Sequence, residues 1–308
     1  MTSSAVFPAT TSATPGPGTP PSPPGTAGAP STATVGLIGA GNMAGAIVRG
    51  GIASGTLRAE NVLLAPSPDP SAQRLAADTG TRVADNSPEL VAASDVVVLA
   101  VKPHVVPAVL AEVHDAVSAH APLVVSVAAG LSTARLESML PAGARVVRTM
   151  PNMAALVGEA MTALAMGSAA TPEDLATARR LMGSVGAVTE LDEHLFSTFT
   201  AISGSSPAFV LTFVEALARA GVLGGIPKGQ AVEIVTQALL GTARTVQAEA
   251  RRTEAGEAAR TPADLVDAVS SPGGTTVAGL VAMERAGFSD AVIQGAQAAA
   301  QRDRELGA

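Results

Sequence analysis

The chain has 308 residues, of which 15% are charged, and a formal net charge of -7; an average globular protein is about one quarter charged. Hydrophobic residues make up 47% and aromatics only 2%, with six Phe and no Tyr or Trp, so the core must be built from Ala, Val, Leu, Ile and Met. Single-stranded nucleic acid needs aromatic stacking platforms and a phosphate backbone needs clustered Lys and Arg, so composition excludes nucleic acid as a partner.

Cysteine is absent, which excludes disulfides, thiolate metal sites, iron–sulfur clusters and a Cys nucleophile together. The four histidines, His104, His114, His120 and His194, lack metal-ligand spacing, and no metal is expected.

Residues 1–34 carry no charged side chain and eight of the 22 prolines. Such a segment cannot offset its ordering entropy by burial, and a disordered tail is expected there. It has neither the basic and apolar regions of a secretory signal nor the Arg of a transit peptide.

From Thr34 onward, short apolar runs alternate with helical patterns: residues 35–40, 61–65, 95–101, 122–129, 144–150 and 186–191. Each is β-branched and nearly continuous in hydrophobicity, as strands covered on both faces are. The expected fold class is α/β, a Rossmann-like, doubly wound, mostly parallel sheet over residues 35–192. An all-helical domain is expected over 193–308, with helices at 208–222, 229–249, 265–269 and 276–286; that it serves dimerisation and holds substrate is what the family resemblance given below implies. Residues 251–260 read as an exposed loop or frayed helix end. The uncharged stretch 195–214 is long enough for a membrane span, but nine of its 20 residues are Ser, Thr, Gly or Pro, so no membrane partner and a cytoplasmic location are expected.

The segment from Gly39 to Ala44 is a G-x-G-x-x-A placed after an expected strand and at the start of an expected helix. Gly39 permits the tight turn, Gly41 lets a pyrophosphate approach the backbone, and Ala44 allows close helix packing. The end of the second strand, Leu64-Ala65-Pro66-Ser67, lacks the carboxylate that reads a ribose 2′-hydroxyl; Glu60 precedes it and Asp69 lies further into the loop. NADPH is therefore expected, with NADH possible as the alternative, and Ser67 is either a phosphate contact or a turn residue between two prolines.

In the C-terminal half, Ser270-Ser-Pro-Gly-Gly-Thr-Thr-Val277 opens a helix near Thr275, so that N–H groups and hydroxyls converge on a point suited to a carboxylate. A plain helix cap after a Pro-Gly turn is the other reading. Together with VGLIGAGNMA (35–44), LAVKP (99–103), SVAAG (126–130), RTMPN (148–152), SGSSPAF (203–209) and EALARAGVLGGIP (215–227), this motif resembles the pyrroline-5-carboxylate reductase family, in the same order across nearly all of residues 35–306. The resemblance implies NAD(P)H-dependent reduction of the cyclic imine Δ1-pyrroline-5-carboxylate to proline by a homodimer, in some members a larger ring of dimers.

Carried over by position, the resemblance makes Ile38, Gly39, Ala40, Gly41, Asn42 and Met43 the pyrophosphate loop. It places Ser67 and Asn86 near the adenosine ribose and its 2′-phosphate. Ala100, Val101, Lys102 and Pro103, with Ala128, Ala129 and Gly130, fall near the nicotinamide riboside. Ser271, Gly273, Gly274, Thr275 and Thr276 hold the substrate, Thr276 being the catalytic candidate that bonds the ring nitrogen, and Glu190 edges the pocket. The chain departs from the family pattern at Ser206, Phe209, His104 and Met153-Ala154, and Ser206 is expected to narrow substrate entry.

The residue inventory agrees with imine chemistry. Alcohol oxidation needs a general base, and the related 3-hydroxyacid dehydrogenases supply a Lys in the helix beginning near Gly204. This chain has only Lys102 and Lys228. An iminium carbon accepts hydride without a further acid, so the protein mainly has to hold C5 against the nicotinamide. A six-membered imine, a dehydrogenase of the 3-hydroxyacid type and a non-catalytic NADP-binding protein remain as alternatives. Leu211, Val214, Leu217, Ala218 and Val222, with Ile234, Val235, Leu239 and Leu240, leave two helices apolar on most sides, which calls for a second copy or for cover by the nucleotide domain.

Overall fold

The computed structural model describes residues 32–307, so the tail expected over 1–34 lies almost wholly outside the described residues. The chain first runs β1 (Val35–Ile38), α1 (Asn42–Ala53), β2 (Val62–Leu64), α2 (Ser71–Thr79), β3 (Arg82–Val83), α3 (Ser87–Ala92), β4 (Val96–Leu99), α4 (Val106–His120), β5 (Leu123–Ser126) and α5 (Thr133–Glu137). It continues through β6 (Val146–Met150), β7 (Ala160–Met166), α6 (Pro172–Gly183) and β8 (Gly186–Glu190). Five helices follow: α7 (Phe196–Phe199), α8 (Ser206–Leu223), α9 (Lys228–Glu254), α10 (Pro262–Ala268) and α11 (Thr275–Arg285), and α12 (Phe288–Gly307) ends the described chain.

The eight strands form one sheet in the order β3-β2-β1-β4-β5-β6-β7-β8. The first six are parallel, β7 runs antiparallel to β6, and β8 is parallel to β7. Alternation along the strands sends Leu37, Val98, Val125 and Val147 toward α1, α2 and α6, and Ile38, Val97, Leu99 and Val124 toward α3 and α4. Burying a Val or Leu side chain contributes about 1.5–3 kcal/mol, so two filled faces hold a sheet that has almost no aromatic residues. Helix starts are set locally: Asn86 caps α3, and Thr171 with Asp174 forms a capping box at α6.

Two strands are additions to the sequence reading. β3 is only two residues long, too short to give a pattern. β7 reads Ala-Met-Thr-Ala-Leu-Ala-Met, a composition of helix formers that tertiary pairing between β6 and β8 overrides. Residues 251–254 form the exposed last turn of α9 and 255–260 the connection to α10, so the segment is part helix end and part loop.

The helical part is anchored by Phe196 and Phe199, which pack with Ala163 and Ala165 of β7. A π-helical turn, Thr200–Ser205, joins α7 to α8, and α12 returns to pack on that turn and on α7. The helical run Glu193–Leu223 meets the length and apolarity of a membrane span, yet its ends are held by β7 and by the contact of Ala218 with Ala231 and Val235 of α9. Leu211, Leu217, Val222, Ile234 and Leu240 stay exposed, so the sheet does not cover the apolar faces of α8 and α9.

Gly186 enters β8 at φ +149°, against the backbone of Ala160, where a methyl group has no room. Gly186→Ala is expected to cost roughly 2–4 kcal/mol through strain and overpacking. Urea denaturation reads this directly, and an unchanged midpoint would refute the account of the β7–β8 edge.

Candidate active site

Register brings three loops to one edge of the sheet. Ile38 pairs with Leu99 and Leu99 with Ser126, so the chain leaves β1, β4 and β5 side by side. Gly39 turns at φ +109° with the Ala100 carbonyl 2.6 Å from where its Cβ would stand, and the Ala100 N–H donates to Ile38 at 2.9 Å. A side chain at Gly39 would break this contact. At Gly41 the situation is reversed: a Cβ there would meet nothing within 4 Å. Gly41 is the N-cap of α1, with no side-chain cap and no acidic residue in the first turn, so the helix N-terminus opens onto empty space. That is the cradle a pyrophosphate requires. Ala40 and Met43 pack on the core while Asn42 is exposed.

The remaining loop residues divide between this edge and their own turns. Ala100, Val101, Lys102 and Pro103 follow β4 directly, and Pro103 opens a short 3-10 turn. Buried Ala128 donates its N–H to Ser126 Oγ at 3.3 Å, and Gly130 turns at φ +75°. Ser67 Oγ donates to the Asp69 carbonyl at 2.6 Å and accepts from Ala72 N–H at 3.3 Å, so its side chain is engaged in the turn. Asn86 is likewise engaged, accepting from Glu89 N–H at 2.8 Å.

The end of β2 lacks a carboxylate, as read from the sequence, but the following loop brings one back: Asp69 Oδ1 stands 3.4 Å from Ser67 Oγ, a fixed negative charge that the sequence reading did not place there. Hydrogen bonds from the Ser71 side chain and N–H hold the Asp69 carboxyl below the usual carboxylate range. Arg74 offsets this charge, and with Arg49 it flanks a cleft of about 410 Å³ that opens beside Gly41 and Asn42.

In the helical part, Gly274 is the N-cap of α11, again without a side-chain cap or an acidic first turn. Gly273 takes φ +69°, and the Gly274 N–H donates to the Ser271 carbonyl at 2.9 Å. The side chains of Ser271, Thr275 and Thr276 are not consumed by capping this helix, and Ser271 and Thr275 are exposed. Glu190 ends β8 and pairs with Arg179 of α6, which keeps it on the sheet. Ser206 opens α8. Phe209 lines an apolar groove of about 540 Å³ between α8, α11 and α12. Lys228 is held by Glu215 at 2.5 Å.

Two polar links escaped the sequence reading. Asn152 donates through Nδ2 to the carbonyl and Oγ of Ser203 at 3.1 and 3.2 Å, tying the loop after β6 to the π-helical turn. Arg148, inside β6 and only 7% exposed, donates to Glu193 at 2.9 Å and lies 4.4 Å over the Phe196 ring. Burial pushes the Glu193 carboxyl up, but hydrogen bonds from Thr133 and Arg148 outweigh it and hold the group below its ordinary range. The motif RTMPN marked Arg148 only as part of a resemblance, and its partner lies 45 residues away in sequence.

A mostly parallel sheet with an open glycine cradle at its C-terminal edge, followed by helices that leave apolar faces exposed, has the architecture of a dinucleotide-binding domain joined to a helical domain. Comparison with known proteins gives the same division. Residues 193–306 match the model described as pyrroline-5-carboxylate reductase dimerisation, and 34–130 match NADP oxidoreductase, coenzyme F420-dependent. The chain is 39% identical over 273 residues to the pyrroline-5-carboxylate reductase of Synechocystis sp., covering 89% of this chain and 98% of that one. Among solved structures it is similar to the Coxiella burnetii pyrroline-5-carboxylate reductase, with a TM-score of 0.82, 30% identity and coverage of 90% and 100% of the two chains. It is also similar to the Plasmodium falciparum pyrroline carboxylate reductase with NADP bound, at 0.78, 27%, 91% and 100%. The chain belongs to the pyrroline-5-carboxylate reductase family.

The two glycines of the cradle should separate under mutation. Gly41→Asp is expected to leave the unfolding midpoint unchanged and abolish NADPH binding, because its side chain fills only the cradle. Gly39→Ala is expected to lower stability by about 1–3 kcal/mol from its positive φ and the Ala100 contact. Fluorescence titration with NADPH beside thermal unfolding checks both, and NADPH affinity retained in Gly41→Asp would refute the loop assignment.

Proposed function

We propose that this chain is a cytoplasmic enzyme that reduces Δ1-pyrroline-5-carboxylate to L-proline with NADPH, working as a dimer or a ring of dimers. The observation that carries the reading is the pair of open helix N-termini, one at Gly41 on the sheet and one at Gly274 in the helical part, each backed by unengaged donors. One suits a pyrophosphate and the other a carboxylate.

The nucleotide domain is taken as residues 35–192 and the helical substrate domain as 193–308. NADPH, when bound, supplies the hydride. Residues 38–43 hold the pyrophosphate, while Ala100–Pro103 and Ala128–Gly130 shape the nicotinamide side. The turn bearing Ser67, with Asn86, faces the adenosine ribose, where the charge of Arg74 favours a 2′-phosphate and that of Asp69 opposes it. Ser271, Gly273, Gly274 and Thr275 hold the substrate carboxylate, Thr276 Oγ1 bonds the ring nitrogen, and Glu190 edges the pocket. The balance is one hydride to C5 and one proton on nitrogen, which gives the secondary amine. No general base is required, and neither lysine is in the helix beginning at Ser206.

The reading also requires a second copy. Among the described residues α11 contacts α12 and makes no comparable contact with the sheet, which supports a reading in which the 270–276 loop serves the nucleotide edge of a second copy. The exposed apolar residues of α8 and α9 give that dimer its buried face.

The decisive assay measures NADPH and NADH consumption with the five- and six-membered imines. Proline formation from the five-membered ring with NADPH is expected, and no consumption with either ring would overturn the reading. Thr276→Ala is expected to lower kcat/KM by roughly 10- to 100-fold with NADPH affinity unchanged; a parallel loss of NADPH binding would remove its assigned role. Light scattering should give a particle of at least twice the chain mass, and a monomer would refute the shared site.

A further inference from the structure

Glu193 is the first residue of the helical part, yet its carboxylate is bound entirely by the sheet domain. Oε1 accepts from Thr133 N–H at 2.7 Å and from Arg148 Nη1 at 2.9 Å, and Oε2 accepts from Thr133 Oγ1 at 2.6 Å. Thr133 opens α5, directly after the loop that carries Ala128–Gly130. Arg148 stands in β6, two residues before the loop in which Asn152 grips the π-helical turn. One carboxylate therefore joins the loop after β5, the strand leading to the loop after β6, and the root of the helices.

Arg148 can move little. It is buried, the Phe196 ring lies 4.4 Å from its guanidinium carbon, and among the described residues its Nε has no hydrogen-bond partner, which leaves Glu193 as its ionic anchor. A buried guanidinium with a single carboxylate partner fixes that carboxylate strongly in return.

Resting on the function proposed above, we propose that Glu193 is a positioning residue for hydride transfer, setting the 128–130 loop against the helical domain. Both of its carboxylate oxygens are committed to protein donors. It acts through Thr133 and Arg148, and the sensitive quantity is the donor–acceptor distance, since displacements of about 1 Å can cost 10²-fold in rate.

The test uses the full-length protein with Glu193→Gln, which keeps the volume and removes the charge, and Thr133→Val, which deletes one hydroxyl contact. Glu193→Gln is expected to lower kcat roughly 10- to 100-fold. It should also raise the primary deuterium isotope effect measured with NADPH labelled at the transferred position, with NADPH affinity and particle mass as in the wild type. Thr133→Val should shift the isotope effect in the same direction by a smaller amount, a readout that a merely structural role would not move. A kcat and isotope effect within about twofold of wild type in Glu193→Gln would overturn the proposal. Should that variant fail to fold, an unchanged isotope effect in Thr133→Val overturns it as well. Wild-type protein that fails to reduce the imine breaks the function reading; active wild type with insensitive variants breaks only the role of Glu193.

Discussion

The approach of Gly39 to the Ala100 carbonyl is the contact on which the nucleotide edge depends. It lets β1 and β4 separate their loops within one residue of their last pairing, and it aims α1 so that its first turn opens at Gly41 rather than against protein. Everything placed at that edge inherits its geometry from this turn. The loop after β5 is registered to it through Leu99 and Ser126, and the loop after β6 through Ser126 and Arg148. A sheet with few aromatic residues can hold such a turn because β-branched chains fill both faces without gaps that would let the strands slide.

The reversal at β7 has an equally simple cause. A parallel return to the sheet needs a crossover of a dozen or more residues, usually a helix. Between β6 and β7 lie only residues 151–159, with a single 3-10 turn among them. The chain can therefore only double back, and β8, reached through α6, then aligns with β7. This places Glu190 on a row with Leu164, and the Glu190 side chain meets Arg179 of α6. An acid at the end of a strand was legible in the sequence; its ion pair was not, because helix α6 had to be docked first.

The same distinction separates what the sequence disclosed from what it withheld. Gly39, Gly41 and the SSPGGTT loop could be read because they act through their own backbone, within a few residues. The six strands that were read are short apolar runs, a local pattern, and all but β8 are buried along nearly their whole length. Ser67 and Asn86 were legible as positions but not as engaged side chains, since Asp69 and Glu89 claim them at hydrogen-bond range. Arg148 and Glu193 could not be paired from spacing at all. Their meeting depends on β6 lying beside β7, a strand whose Ala and Met content argues for helix.

The cost of burying Arg148 bears on how the two parts of the chain are joined. Replacing a buried ion pair by apolar residues is often neutral or stabilising, so stability alone does not require this one. What an apolar replacement could not provide is a directed link of three hydrogen bonds between α5, β6 and the root of the helices. Apolar packing is non-directional, whereas a carboxylate shared between a helix N-terminus and a guanidinium fixes both distance and angle. Among the described residues the helical part is also held to the sheet domain by Phe196 and Phe199, by the Asn152 contacts and by an exposed Arg244–Glu159 ion pair, beside the exposed apolar faces of α8 and α9. With most of its apolar surface turned away from its own sheet, the helical domain needs a polar joint at its root to carry a defined orientation from one domain to the other.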